Sequence, residues 1–190
     1  MKKLIVVMLL AVALVAPAFA ADKGAMELDI KAGFNLMSKV EIDDYYDDSN
    51  DVDSAFTTGV DFFYYVMPQL AIGAGVEYVF NSKVKDTPVK AGWTNLYAQA
   101  KYMFDLGDDL FNNIYPLIQV GYGIMRTDPD THEDSNGLYW AIGAGTTIKE
   151  NFIFEILYSN SNASIKVNPT VALDLKYSTL QLKVGYKFSF

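Results

Sequence analysis

Residues 176–190 read KYSTLQLKVGYKFSF. From Leu180 onward the even positions are Leu180, Leu182, Val184, Tyr186, Phe188 and Phe190, while the odd ones are Gln181, Lys183, Gly185, Lys187 and Ser189. A period of two belongs to a β-strand, whose successive side chains point to opposite sides. One face of this strand is apolar and aromatic, the other polar and cationic. The same pattern occurs seven more times upstream, over residues 26–36, 56–66, 70–80, 93–104, 115–125, 138–148 and 152–158. In each the even positions carry the apolar face, for example Leu70, Ile72, Ala74, Val76, Tyr78 and Phe80 against Gly73, Gly75 and Glu77.

The connections between these eight segments differ in length. Met67-Pro68-Gln69 and Lys149-Glu150-Asn151 are tight turns, and 105–114 is moderate. Proline suits the first of these because it fixes its own φ and has no ladder donor to lose. The connections over 41–54, 82–92, 127–136 and 159–175 are longer and polar, and two of them are strongly acidic. Short turns at one end and long loops at the other are the asymmetry of a barrel that spans an outer membrane, with both chain ends on the inner side.

Alternation alone leaves open whether the apolar face looks into a core or out to lipid, since a soluble sandwich or barrel has the same period. Three features assign it to lipid. Glycines concentrate on the polar face, where a narrow lumen needs room for large neighbours. If residue numbers paired across the 67–69 turn sum to 136, Phe63 meets Gly73, Asp61 meets Gly75 and Gly59 meets Glu77. A sum of 300 across 149–151 sets Gly145 opposite Glu155. Aromatic residues gather near strand ends on the apolar face (Phe62, Tyr64, Tyr78, Phe80, Tyr102, Phe104, Phe152, Tyr158), as rings that favour the headgroup boundary do. Finally, the apolar faces of the eight segments carry no charge, and water-facing surface of that kind would aggregate.

The N-terminus agrees with export. Lys2 and Lys3 precede an apolar run over 4–16 and a small-x-small end at Ala18-Phe19-Ala20, which predicts a signal peptide over 1–20 and a barrel domain over 21–190. The run is too short for a helical span of about 20 residues. Loss of two lysines takes the formal net charge from −8 to −10. That acidity makes nucleic acid a poor partner. The chain has no cysteine, so closure of the fold falls to backbone pairing and packing.

The signal peptide, eight alternating strands and terminal Y-K-F-S-F resemble the small outer-membrane barrels of the OmpA/OmpX type across the whole mature chain. The resemblance implies an all-β, eight-stranded antiparallel up-and-down transmembrane barrel in the cell outer membrane. It also implies that Tyr186, Phe188 and Phe190 form the signal read by the barrel assembly machinery. The peptidoglycan-binding domain of the longer OmpA proteins is not expected in this chain.

Candidate functional residues lie on the polar face and in the loops. Glu27, Asp29, Asp61, Glu77 and Glu155 accompany Lys31, Lys101, Lys183 and Lys187 in the expected lumen. Charges of both signs in a tight interior pair and hydrogen-bond, so they are expected to fill and plug the barrel. The other reading is a narrow porin-like path for ions or small solutes, gated by those pairs. With the first strand antiparallel to the last, Asp29 is expected near Lys187. In the acidic loops Asp47 and Asp51 are weak candidates for a divalent ion, because the spacing lacks the glycine and closing glutamate of an EF-hand. His132, the only imidazole, precedes Ser135 with Glu133 and Asp134 between. This His-x-x-Ser departs from the His-x-Ser of the outer-membrane lipid A deacylase, and surface residues are expected rather than a catalytic group. The expectation is a monomeric, non-enzymatic barrel without cofactor. Its role is structural or adhesin-like, through loops that contact lipopolysaccharide, external surfaces or host molecules.

Overall fold

The computed structural model describes residues 23–42, 50–83, 90–107, 110–128, 135–168 and 171–190. The expected signal peptide, Asp47, His132, Glu133 and Asp134 lie outside these residues. The elements are β1 (Met26–Ile42), β2 (Asn50–Val52), β3 (Ala55–Met67), β4 (Leu70–Lys83), β5 (Lys90–Tyr102), β6 (Phe104–Asp105), β7 (Phe111–Asp128), β8 (Ser135–Ile148), β9 (Phe152–Asn168) and β10 (Val171–Ser189).

Eight of them form a closed antiparallel barrel in the order β1, β3, β4, β5, β7, β8, β9, β10, and β10 returns to β1. The short β2 and β6 are flaps on β1 and β7. Closure is completed at the chain's end, where Met26 and Phe190 exchange backbone hydrogen bonds of 2.8 and 2.9 Å. The registers contain the pairs that alternation and turn geometry require: Phe63 with Gly73, Asp61 with Gly75, Gly59 with Glu77, and Gly145 with Glu155. At the β8–β9 turn Lys149 and Glu150 both adopt positive φ (48° and 66°). The Glu150 N–H is held by Asn112 Oδ1 at 2.7 Å.

Within the alternating segments even-numbered side chains such as Ile30, Ile72, Leu96, Ile142 and Ile156 face outward, with Ile118 and Val184 exposed by 57% and 58%. Aromatic residues form two belts on this face. The inner belt includes Phe62 against Phe190, Tyr102 against Phe104 and Phe152 against Tyr186, and the outer one Phe34, Phe56, Tyr78, Phe80, Trp140 and Tyr158. Along β3, Phe56 to Tyr64 is eight residue steps of strand. At about 3.3 Å per residue and a tilt of about 40° they span roughly 20 Å of membrane normal, close to the ~25 Å apolar band of such barrels.

The strands run further outward than the alternation does. Residues 159–175, expected to be irregular, are instead a paired hairpin: β9 continues to Asn168, β10 starts at Val171, and only 169–170 separate them. Likewise β1 runs to Ile42 rather than Leu36, β4 to Lys83, β7 to Asp128, and β8 begins at Ser135. Two causes are visible. Bulges at Met37 (φ 48°) and between Val79 and Ser82 shift the register, so that Ser38 and Ser82 become the inward residues. Beyond the membrane, neither face must be apolar, so the backbone ladder continues without a period of two.

Candidate functional site: the filled lumen

The inner half of the lumen is built from odd-numbered residues of every barrel strand. Lys31 is its hub. Its ammonium lies 2.7 Å from Asp61 Oδ2, 2.7 Å from Glu155 Oε1 and 3.6 Å from Asp29 Oδ2. The side chain fits because its register partners on both neighbouring strands are glycines, Gly59 and Gly185. A Cβ on Gly185 would stand 2.9 Å from Lys31 Cγ. Lys101 pairs with Glu27, lies 3.7 Å from Asp29, and sits 3.9 Å above the centre of the Phe63 ring. Lys187 lies 4.0 Å from Glu27. Higher in the barrel Lys183 pairs with Glu77, which also accepts hydrogen bonds from Asn95 Nδ2 (3.2 Å) and Gln181 Nε2 (3.1 Å).

Asp29 and Lys187 are opposite each other in the β1–β10 ladder. Their side chains part company, however: Asp29 approaches Lys31 and Lys101, while Lys187 approaches Glu27. Asp29 is fully buried and neither of its oxygens receives a hydrogen bond. The nine residues carry five carboxylates against four ammonium groups, and Asp29 is the carboxylate least well served.

Four tyrosines that alternation placed on the polar face, or at its edge, complete the network. Tyr65 donates to Glu27 (2.5 Å), Tyr97 to Asp61 (2.9 Å) and Tyr115 to Glu155 (2.9 Å). Tyr139 donates to Gln119 (2.8 Å), whose amide donates to Gln99 (3.0 Å). Their rings join Phe63, Leu117 and Leu157 in an apolar filling around the charges. The signal that could have found them is positional: large phenols at odd positions on the glycine-rich face.

The outer end of the lumen is different in kind. Val52, Ala55, Val79, Trp93, Met125, Ala163 and Tyr177 form an apolar cluster, with the Trp93 and Tyr177 rings stacked 5.7 Å apart at 20°. Hydrogen bonds there link neutral groups: Tyr177 Oη accepts from Asn35 (3.2 Å) and donates to Ser38 (3.1 Å), and Ser38 and Thr179 hydroxyls lie 2.9 Å apart. Val79, Trp93 and Met125 are odd positions at the ends of alternating segments, but Val52, Ala55, Ala163 and Tyr177 lie beyond the regular period, so alternation did not assemble this cluster.

Asp51 lies in β2 opposite Lys39 of β1. Among the described residues no group of three His, Cys, Asp or Glu side chains is arranged to hold a metal ion. The Tyr186 and Phe188 rings lie 4.8 Å apart, tilted by 58°, and Phe190 packs against Phe62 at 6.4 Å.

A closed eight-stranded barrel with a lipid face, two aromatic belts and a polar interior is the geometry of a small outer-membrane protein. Residues 6–188 match the family model for the outer membrane protein beta-barrel domain. The chain belongs to this family. Solved outer membrane barrels share the fold. OprG of Pseudomonas aeruginosa aligns over 91% of this chain and 99% of its own, with 13% identity and a TM-score of 0.53. Ail, the attachment invasion locus protein of Yersinia pestis, aligns over 87% and 99%, with 16% identity and a TM-score of 0.51. Neisserial surface protein A aligns over 87% and 99%, with 16% identity and a TM-score of 0.56. No curated protein matches the sequence significantly. The protein is thus a barrel of the Gram-negative outer membrane, in contact with its lipids.

Proposed function

We propose that the protein is a non-conducting, non-enzymatic barrel that acts as a structural and surface-interaction element, through the acidic loops and strand extensions on its outer side. The observation that carries this reading is the burial of the lumen. Lys31, Lys101 and Lys183 are 4% exposed or less, Asp29 and Glu155 are fully buried, and rings of Phe63, Tyr65, Tyr115 and Tyr139 occupy the space between them. An eight-stranded interior is just wide enough to be filled by side chains, and here large ones fill it. Tyr186, Phe188 and Phe190 are taken as the assembly signal on the strength of the family resemblance.

The test is planar-bilayer recording on the refolded protein together with its Lys101→Ala and Glu77→Ala variants. The reading requires a silent wild type. Steady wild-type conductance that changes ion selectivity in either variant would favour the narrow channel lined by salt bridges.

A further inference from the structure

One seam of the barrel has no connection to set its register. Every other neighbouring pair of barrel strands is consecutive along the chain, so the length of its turn or loop limits which residues meet. The β1–β10 seam joins the two ends of the chain, and only the strands themselves can specify its pairing. The outward residues do not: Ile30, Ala32 and Phe34 of β1 face Tyr186, Val184 and Leu182 of β10. A slip of one residue would turn polar side chains to lipid, but a slip of two keeps apolar against apolar. Such a slip changes the stagger of the closed sheet, and with it the strand tilt and the width of the lumen.

The inward residues are sensitive to it. Lys31 faces Gly185 and Lys183 faces Gly33, so each long side chain of the seam lies against a glycine of the other strand. The fit is close: a Cβ on Gly185 would stand 2.9 Å from Lys31 Cγ, and one on Gly33 would stand 2.9 Å from Lys183 Cγ. Each lysine then crosses to carboxylates of other strands, Lys31 to Asp61 of β3 and Glu155 of β9, and Lys183 to Glu77 of β4. Moving β10 by two residues in one direction sets Lys31 opposite Lys183, and in the other direction opposite Lys187. Both slips place two ammonium groups face to face in a buried interior, where like charges repel strongly. The first slip also sets Lys187 opposite Glu27, but the native register already brings that pair to 4.0 Å. Lys83 and Lys90 do face each other across β4 and β5, yet they are exposed at the outer rim, where water and salt screen them. We infer that Lys31, Lys183 and Lys187, set against Gly33 and Gly185, specify the register at which the barrel closes, and thereby its stagger. The inference concerns closure and stands whether or not the lumen conducts.

The test reads the register by disulfide formation in a chain without native cysteines. Ala32→Cys is combined in turn with Val184→Cys, its native partner, with Leu182→Cys and with Tyr186→Cys, which report the first and second slips. A membrane-permeant oxidant is applied while the protein refolds into lipid vesicles. Direct partners, with Cβ atoms about 5 Å apart, form the bond, whereas diagonal ones at about 7–8 Å do not. With all three lysines present, the 32–184 bond should dominate. Lys183→Ala, made together with Glu77→Gln so that no carboxylate is stranded, should raise the 32–182 yield at least fivefold and leave 32–186 unchanged. Lys187→Ala, at the inner rim, should do the reverse, and it decides the matter by itself if the first variant lacks barrel circular dichroism. General loosening of the seam would raise both slipped bonds together, and that result would overturn the inference. It would also be overturned if neither slipped bond rose in a folded variant.

Discussion

The two ends of one lumen solve the same packing problem with different chemistry. The inner half holds charges, with Lys31 among three carboxylates and Lys101 between Glu27 and the Phe63 ring. The outer end holds an apolar cluster and neutral hydrogen bonds around Trp93 and Tyr177. Both are closed to solvent, but they respond differently to damage. A buried ion whose partner is removed has nowhere to place its charge, whereas a neutral group that loses a partner forfeits only one hydrogen bond.

The largest effect expected from this contrast is that of Lys31→Ala. It strips Asp61 and Glu155 of their ammonium partner in a fully buried site, and should cost about 3–5 kcal/mol in equilibrium urea unfolding from lipid vesicles. A loss below about 1 kcal/mol would mean that the inner half is wetter than its burial indicates. Next, a double-mutant cycle on Glu77→Gln and Lys183→Met should give a coupling of about 2 kcal/mol, because removing both charges spares the isolated one. The Trp93–Tyr177 pair, cycled through leucine, should couple by about 0.5–1.5 kcal/mol, the value of a ring contact. Equal couplings at the two ends would remove the distinction.

Gly145→Ala probes the charged half without touching a charge. Its Cβ would stand 2.5 Å from Tyr115 Cζ, and the ring that donates to Glu155 must move. About 1–3 kcal/mol is expected, read by the same unfolding assay. The smallest effect belongs to the outer end: Tyr177→Phe loses the contacts to Asn35 and Ser38 but keeps the Trp93 stack, for about 1 kcal/mol. A cost near that of Lys31→Ala would show that the neutral end is as demanding as the charged one.

The same contrast explains what could be read from the sequence. Within the membrane, lipid forces every even residue to be apolar, so strand identity, register and the lumen side of Asp61, Glu77 and Glu155 follow from counting. Side-chain choices within the lumen do not: Asp29 has Lys187 as its ladder partner but approaches Lys31 and Lys101, because three-dimensional reach across a narrow interior is not a property of pairing. Above the membrane the constraint lapses. Ser159, Ser161 and Asn160 are all buried in a strand whose two faces are both polar, and a bulge at Met37 inverts the inward parity of β1. The extensions, and the part of the outer cluster that they supply (Val52, Ala163 and Tyr177), were hidden for that reason.

The central claim is that the lumen is packed shut, and cysteine access tests it most directly in a chain that has no cysteine of its own. Ala141→Cys places a thiol in the filled interior beside Gln119, and Ser54→Cys places one on the exposed outer rim. Treated with a small, membrane-impermeant thiol reagent in vesicles, the Ser54→Cys protein should label readily. The Ala141→Cys protein should stay unlabelled until it is denatured. Labelling of the folded Ala141→Cys protein within tenfold of the control rate would mean that water and solutes enter the barrel, and would contradict a closed lumen.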